Sequence, residues 1–325
     1  MIYKPIIIVA GEPNSIFFEI FFKALKYKKF KSPIILIASL NLLKLQMKKL
    51  KIKKNINLIN FFKLKEYKLN NKSINLININ YNQQKPFEKI SSKSNRYIEQ
   101  SFKLAIKILQ KKITNKFING SISKKFFLKN KFPGMTEYFA AKVKKKNKAV
   151  MLIYNDDISV SPITTHMSLR KIFGFITKKK IVSNLKIINN FYKKYLNKVP
   201  KFGITGINPH CESSEKYSEE EKIIIPAINT IKKNKIKISG PFPADTIFLK
   251  KNYEKYDVIV GMYHDQVLTP LKTLYEFNAI NITIGLPFIR ITVDHGPNNK
   301  MIGKNLSSPT SFVEILNFVK NLRDI

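Results

Sequence analysis

Short apolar runs alternate with longer amphipathic stretches along most of the chain, and this alternation limits the fold more than any other feature. The runs have the length and composition of buried strands, and several of the intervening stretches carry apolar residues at helical spacing. Strands that alternate with helices favour an α/β fold with a mainly parallel sheet. The predicted strands are 6–9, 33–38, 117–119, 149–154, 203–207, 257–262, 279–285 and 288–293, and the predicted helices are 15–27, 94–112, 181–195, 219–233 and 311–322.

Composition narrows the class of protein further. A chain of 325 residues with 44% hydrophobic residues can bury a sizeable core in one large or two medium domains, which excludes a wholly disordered chain. The single cysteine, Cys211, excludes an internal disulfide and a cysteine-based zinc module, and it fits a reducing compartment. No stretch approaches the roughly 18 apolar residues of a membrane span. We therefore expect a soluble cytoplasmic protein.

The net charge of +38 would ordinarily indicate a nucleic acid or an anionic membrane as the partner. Only four of the 59 basic residues are Arg, however, and nucleic-acid readers rely heavily on the planar fork of Arg. The abundance of Lys, Ile, Asn and Phe throughout the chain is typical of drift toward AT-rich codons. We therefore expect neither a nucleic-acid nor a membrane partner, although the positive field would attract a phosphorylated substrate.

Three of the four histidines occur in similar settings, within TTH (164–166), NPH (208–210) and YHDQ (263–266). Two of these segments directly follow a predicted strand. The carboxyl ends of parallel strands meet at one edge of a sheet, where ligands bind, and three imidazoles there would suit a cation such as Zn²⁺. Asp265 could then orient a ligand as its hydrogen-bond partner. The alternative is that each histidine is an ordinary hydrogen-bonded polar residue, since the spacings match no local metal motif.

Other residues leave more than one interpretation open. Cys211 could have a functional role, as a nucleophile or a metal ligand. Alternatively, it is only a small buried side chain. The carboxylates of Asp245 and Asp265 could serve as acid or base, although Asp245 could equally cap a helix. The chain contains no Gly-x-Gly-x-x-Gly or P-loop pattern, so a standard dinucleotide or nucleoside-triphosphate fingerprint is absent.

A set of longer motifs resembles the PdxA family, the 4-hydroxythreonine-4-phosphate dehydrogenases of vitamin B6 biosynthesis. Order and spacing agree along the chain, whereas residues 40–95 carry almost none of the resemblance. The matching segments are PGMTE (133–137), TTHMSLR (164–170), GINPH (206–210), IIPA (224–227), GPFPADT (240–246), MYHDQ (262–266), NITIGLPFIR (281–290) and DHG (294–296).

The resemblance implies a two-domain α/β/α subunit similar to isocitrate and isopropylmalate dehydrogenases, in a cytoplasmic homodimer with its active site at the dimer interface. The implied first domain comprises residues 1–130 with about 295–325 and carries both termini. The implied second domain, 131–294, carries most metal and substrate motifs. The NAD site of this family does not use the Gly-x-Gly-x-x-Gly loop, which agrees with the missing fingerprint.

The resemblance also implies the chemistry. A divalent metal, Zn, Mg or Co, is held by the histidines that fall on His166, His210 and His264. Family substrate contacts fall on Thr136, Lys272, Asn281 and Arg290. The implied reaction is the NAD-dependent oxidation and decarboxylation of 4-phosphohydroxy-L-threonine to 3-amino-2-oxopropyl phosphate, with NADP as a possible cofactor. Lys272 and Arg290 supply positive charge suited to the phosphate or carboxylate.

The chain departs from the family pattern at three places. Met135 replaces the usual histidine before Thr136, so a thioether stands where a polar substrate contact is expected. The Gly-rich turn after the first strand, residues 11–17, has lost two glycines, and the loop after His210 is no longer small and Gly-rich. The alternatives are therefore a related metal-dependent β-hydroxyacid dehydrogenase with another substrate, or a paralogue of low activity. A basic nucleic-acid-binding protein, which charge alone favours, would bind with a steep salt dependence.

Overall fold

The computed structural model describes residues 3–27, 30–129, 131–145, 148–212, 218–276, 278–293 and 296–323. The chain divides into two compact units. Unit 1 consists of Met1–Phe132 with Pro287–Ile325, and unit 2 consists of Pro133–Leu286. Whether these units fold as independent domains with the boundaries expected at 130/131 and 294/295 stays a prediction. The chain changes unit at 132/133 and 286/287.

Unit 1 is built from apolar, Ile-rich strands with helices between them. Its strands are β1 (Ile6–Val9), β2 (Ile34–Ala38), β3 (Ile56–Leu58), β4 (Ile74–Asn78), β5 (Lys116–Asn119) and β12 (Ile289–Thr292), and its helices are α1 (Phe17–Tyr27), α2 (Leu40–Lys49), α3 (Asn95–Gln110), α4 (Lys124–Phe127) and α12 (Thr310–Asn321). The strands lie in the order β3-β4-β2-β1-β5-β12, and each neighbouring pair is parallel. β1 and β2 are buried on both faces, as expected for parallel strands covered by helices.

The core of unit 1 is rich in aromatic rings. Phe17 and Phe21 of α1 stack with ring centroids 5.7 Å apart, and Phe312 of α12 packs edge-on against Phe17 at 5.8 Å. The apolar face predicted for the helix at 94–112 is confirmed, because all five of its predicted residues are buried: Ile98, Phe102, Ala105, Ile106 and Leu109. Burial of such rings and aliphatic side chains is the main favourable term in folding.

Unit 2 also alternates strands and helices. Its strands are β6 (Val150–Tyr154), β7 (Ser159–Pro162), β8 (Phe202–Thr205), β9 (Ile238–Phe242), β10 (Val258–Gly261) and β11 (Ile280–Ile284), and its helices are α5 (Met135–Lys142), α6 (Leu169–Ile172), α7 (Lys178–Phe191), α8 (Ile225–Lys233), α9 (Ala244–Ile247), α10 (Lys250–Tyr253) and α11 (His264–Tyr275). The order is β11-β6-β7-β10-β8-β9. β7, β10, β8 and β9 are parallel to one another, whereas β6 is antiparallel to both of its neighbours.

The predicted α/β class with a mainly parallel arrangement of strands is therefore confirmed. Within the described ranges, no helix combines the length and the apolar character needed to cross a bilayer.

Glu12, in the turn after β1, gives unit 1 a pH-dependent stability. The residue is 2% exposed and accepts hydrogen bonds from the Ser94 hydroxyl at 3.1 Å and the Asn14 amide at 3.4 Å. Burial raises its pKa from 4.5 to about 7, and these hydrogen bonds oppose the rise only in part. Between these two pH values the folded chain retains a proton that the unfolded chain has released, so stability falls as pH rises.

We expect Glu12→Gln to remove this loss, which amounts to roughly 3 kcal/mol across that window. Denaturant unfolding at pH 4.5 to 8 measures it as the difference between variant and wild type. That difference should grow in favour of the variant up to about pH 7 and then level off. Glu66→Gln, at an exposed carboxylate, is the matched control and should follow the wild type. A difference that does not change with pH would contradict the expectation.

Candidate active site

The three predicted metal-ligating histidines follow the carboxyl ends of three neighbouring parallel strands. β7, β10 and β8 are adjacent in unit 2 in that order. His166 lies in the segment after β7, His264 begins α11 directly beyond β10, and His210 lies in a short turn, Pro209–Cys211, after β8. The strand before His166 was not predicted, so the structure adds a third strand end to the two expected ones. Ligands bind at this edge in parallel sheets.

Two of the three rings lie close together. The ring centroids of His166 and His264 are 5.9 Å apart, with 42° between the ring planes. A hydrogen bond of 2.7 Å from the Thr164 hydroxyl to the Met262 carbonyl ties together the segments that carry them. His210 is exposed and has a left-handed backbone conformation with φ of 56°. In the part of the chain that the structure describes, no three His, Cys, Asp or Glu side chains are grouped closely enough to hold a metal ion. The three-histidine site stays a prediction.

A carboxylate accompanies each of the two neighbouring rings. Nδ1 of His264 lies 2.6 Å from Oδ1 of Asp265, the residue expected to orient it. Nδ1 of His166 lies 3.5 Å from Oε2 of Glu137, and both atoms are buried without a hydrogen-bond partner among the described residues. The hydrogen bond to Asp265 orients the His264 ring and leaves its Nε2 as the electron-pair donor, whereas Glu137 lies beside His166 as a charged neighbour without a hydrogen bond to the ring. Sequence alone does not reveal the pairing of Glu137 with His166, because the two residues are distant along the chain. Thr165, the neighbour of His166 that donates to Glu137, is 28 residues away from it.

Glu137 is held in its charged form. Burial alone would raise its pKa, but the His166 ring, the Thr165 hydroxyl and a backbone amide together keep the pKa below its ordinary value. The Thr165 hydroxyl donates to Oε1 at 2.8 Å. The carboxylate therefore stays negative at neutral pH, as an orienting partner of an imidazole must.

A small cavity lies beside the two rings. Its volume is about 320 Å³, and it is lined by Thr165, His166, Met167, Ser168, Leu169, Ile172, Tyr263, His264 and Asp265. This space is enough for a small substrate rather than a large ligand.

The segment that carries His210 is fixed by partly buried hydrogen bonds. Oε1 of Glu220 accepts from the backbone amides of Ile207 at 2.7 Å and Asn208 at 2.9 Å.

Burial raises the pKa of the Cys211 thiol, so this thiol is protonated at neutral pH. Its interpretation as a nucleophile therefore loses support.

The substrate residues expected in unit 2 occupy different environments. Thr136 is buried at the start of α5, with its hydroxyl 3.2 Å from that of Thr283. Met135, which replaces the family histidine, is also buried. Oδ1 of Asn281 is buried and has no hydrogen-bond partner within the described residues. Burial lowers the pKa of Lys272 in α11. Lys180, at the start of α7, is likewise half-buried, and burial lowers its pKa.

Arg290 belongs to unit 1. It lies in β12 with 2% of its surface exposed, and its Nε donates to Oδ1 of Asn119 at 2.7 Å. Asn119 was missed from sequence because it resembles any other Asn of this Asn-rich chain. Asp294 and His295 of the DHG motif lie outside the described residues.

Gly134 leaves the space that the His166 ring occupies. A Cβ built at this position would collide with Nδ1 and Cε1 of His166 and would lie 2.8 Å from Oε2 of Glu137. The Gly134 backbone is extended, with φ of −158°, so an alanine meets no backbone strain there. The glycine is therefore required by the ring rather than by the chain conformation.

We expect Gly134→Ala to displace the His166 ring and to lower divalent-metal affinity and turnover about tenfold, since an orienting partner contributes about that much. Thermal unfolding should change little. Ala141→Ser, at the other end of α5, is the control and should leave both quantities unchanged. A Gly134→Ala protein with wild-type metal affinity would show that the ring tolerates the displacement.

Comparison with known proteins assigns most of the chain to the family that its motifs resemble. The sequence profile of the family described as "Pyridoxal phosphate biosynthetic protein PdxA" matches residues 29–319. A 4-hydroxythreonine-4-phosphate dehydrogenase from Sulfurihydrogenibium is 39% identical over 214 residues, 65% of this chain and 66% of that protein. A D-threonate 4-phosphate dehydrogenase from Pectobacterium atrosepticum is 36% identical over 166 residues, 51% of each chain. The chain thus spans between half and two thirds of these relatives.

The solved structure of a Salmonella typhimurium protein, described as a candidate 4-hydroxythreonine-4-phosphate dehydrogenase, has a TM-score of 0.85 and 27% identity, and covers 98% of this chain and 99% of that chain. The profile match covers far more than half of the chain. The chain belongs to the PdxA family.

Proposed function

We propose that the protein catalyses the NAD-dependent, divalent-metal-dependent oxidation and decarboxylation of 4-phosphohydroxy-L-threonine to 3-amino-2-oxopropyl phosphate, a step in vitamin B6 biosynthesis. The observation that carries the proposal is the position of His166, His264 and His210 after three adjacent parallel strands, in a member of the PdxA family. A cytoplasmic location stays a prediction.

The donor set fits a divalent ion in part. The His166 and His264 rings are near neighbours, and each has a carboxylate at Nδ1. His210 would complete the set, and imidazole donors suit Zn or Co better than Mg. When bound, such an ion would lower the pKa of the substrate hydroxyl and polarise the ketone, and NAD would accept the hydride.

The residues of unit 2 would bind and orient the substrate. Oδ1 of Asn281, which is buried and has no partner among the residues that the structure describes, can accept a hydrogen bond from a substrate hydroxyl or ammonium group. The Thr136 hydroxyl can donate to a substrate oxygen, and Lys272 supplies a positive charge for the phosphate or carboxylate. Arg290, by the resemblance, makes the same kind of contact. Met135 can accept only weakly, so it contributes apolar contact where the family has a histidine.

NAD, or NADP, is proposed from the family, and unit 1 offers a position for it. The strand order changes direction between β1 and β5, and crevices at such points bind nucleotides in parallel sheets. The turn after β1 provides Gly11, whose φ of 81° requires glycine.

A homodimer is also proposed from the family resemblance. The exposed surface beside the cavity supports it. Leu169, Phe173 and Phe175 follow His166 closely and are 51–61% exposed. Three large apolar side chains within seven residues are unusual on a surface that faces water only, and a second copy of the chain would cover them.

A second substrate is favoured by two observations. Met135 stands where the family has a histidine. One relative is named for D-threonate 4-phosphate, which carries a hydroxyl where 4-phosphohydroxy-L-threonine carries an amine.

The discriminating experiment compares NADH formation from both compounds by protein loaded with Zn²⁺, Co²⁺ or Mg²⁺. Preferred turnover of 4-phosphohydroxy-L-threonine supports the main proposal. Preferred turnover of D-threonate 4-phosphate supports the alternative, and NADH from neither supports a paralogue of low activity.

A further inference from the structure

We propose that Gln266 is a positioning residue that fixes the chain segments of His210 and His264 relative to each other. The inference rests on the proposed function, because it concerns two of the same three ligands. Gln266 lies in the first turn of α11, two residues after His264, and is 8% exposed.

The side-chain amide of Gln266 makes three hydrogen bonds. Its Oε1 accepts from the backbone amide of Met262 at 2.7 Å and from the Thr205 hydroxyl at 2.9 Å. Its Nε2 donates to the carbonyl oxygen of Gly206 at 2.7 Å. Met262 directly follows β10, whereas Thr205 ends β8 and Gly206 follows it. One side chain therefore joins the carboxyl ends of the two strands that lead to His264 and His210.

The geometry requires an amide. The group must accept two hydrogen bonds at one atom and donate from the other, and it must carry no charge in a buried site. A carboxylate would place a negative oxygen against the Gly206 carbonyl. The neighbouring Gly261 leaves room for this amide, since a Cβ there would lie 3.0 Å from Oε1.

The chain between Gly206 and His210 transmits the position of Gln266. The amides of Ile207 and Asn208 are held by Glu220 at 2.7 and 2.9 Å, and Asn208 accepts from the amide of Cys211 at 3.1 Å. The segment is thus hydrogen-bonded from the Gln266 contact up to the turn that contains His210. Loss of the Gln266 contact removes the anchor at the start of this segment.

A purely structural role would lower stability without changing metal affinity, and Gln46 provides the matched control. Gln46 is fully buried in unit 1, where its Nε2 donates to the carbonyls of Pro13 at 3.0 Å and Pro86 at 2.8 Å. Gln46→Met therefore removes two side-chain hydrogen bonds of a buried glutamine, against three for Gln266, from a part of the chain that holds none of the three histidines.

The experiment titrates full-length wild type, Gln266→Met, Gln266→Glu and Gln46→Met with Co²⁺ and follows its d–d absorption. Gln266→Glu keeps the accepting Oε1 and loses the donor to Gly206, so it tests that one contact separately from the other two. We expect the Gln266 variants to bind Co²⁺ at least tenfold more weakly than wild type and Gln46→Met to bind it unchanged. Equal Co²⁺ affinity in the Gln266 variants and Gln46→Met, at comparable melting temperatures, would overturn the proposal.

Hydrogen–deuterium exchange of the metal-free proteins provides a second measurement, independent of the metal. We expect the amides of residues 206–208 to exchange at least tenfold faster in the Gln266 variants than in Gln46→Met. Unchanged exchange there would overturn the positioning role. A wild type that binds no Co²⁺ would reject the proposed function instead, and the exchange measurement would still decide whether Gln266 fixes the segment.

Discussion

Replacing His264 with Ala is expected to lower kcat/KM for 4-phosphohydroxy-L-threonine by on the order of 10³-fold, since a divalent ion supplies several kcal/mol of charge stabilisation. The His264 ring lies 5.9 Å from that of His166, and Asp265 holds its Nδ1. Its loss would remove one of the two donors that already lie side by side. Initial-rate assays of NADH formation at saturating Zn²⁺ or Co²⁺ measure the effect, and equilibrium dialysis measures the loss of bound metal.

The control for this variant is Cys211→Ala. Its thiol lies beside His210 in sequence, but burial raises its pKa and keeps it protonated. We expect this variant to retain wild-type turnover and metal content. A His264→Ala protein with more than a tenth of wild-type activity and full metal content would remove the histidine from the proposed site.

Arg290→Lys is expected to lower kcat/KM about 100-fold, chiefly through KM. A lysine keeps the charge, but it lacks the planar fork that grips a phosphate or carboxylate with two hydrogen bonds. The substitution also removes the bond from Nε to Asn119, which costs about 1–3 kcal/mol of stability because Asn119 is buried. Steady-state kinetics together with thermal unfolding separate these two effects.

Asn119→Ala separates the role of Arg290 in binding from its role in folding. This variant loses the same 2.7 Å hydrogen bond and keeps the guanidinium group. We expect it to lose at least as much stability as Arg290→Lys, because the Asn119 amide also donates to the Gly120 carbonyl at 2.8 Å, and to lose far less activity. Equal losses of kcat/KM in the two variants would show that Arg290 acts through the structure of unit 1 and does not touch the substrate.

The strands that sequence alone identifies are those with continuous apolar runs, such as β1, β2 and β10. The strands that were missed look polar or are hidden by composition. β7 reads Ser-Val-Ser-Pro yet is fully buried, because the Ser159 hydroxyl accepts from Tyr192 and that of Ser161 donates to the Met151 carbonyl. β4, with the sequence INLIN, lies in an Asn- and Ile-rich stretch whose weak periodicity predicts short strands and helices but not their positions.

Sequence alone likewise predicts one part of the candidate site and misses another. The strand-end positions of His210 and His264 could be predicted, because each follows an apolar run, whereas the strand that precedes His166 is polar and was missed. The partners at the site could not be predicted, because Glu137 meets His166 and Gln266 meets Gly206 only after the sheet has formed. Gln266 and Gly206 are 60 residues apart. No local pattern records such pairs, and a side chain that bridges two strand ends looks in sequence like any other glutamine.

Anomalous diffraction from crystals grown with Zn²⁺ or Co²⁺ shows whether the three histidines bind one metal ion. We expect one anomalous peak at full occupancy, about 2.0–2.1 Å from a ring nitrogen of each of His166, His210 and His264. The absence of a peak at this edge of the sheet, with the three rings pointing in unrelated directions under saturating metal, would contradict this expectation.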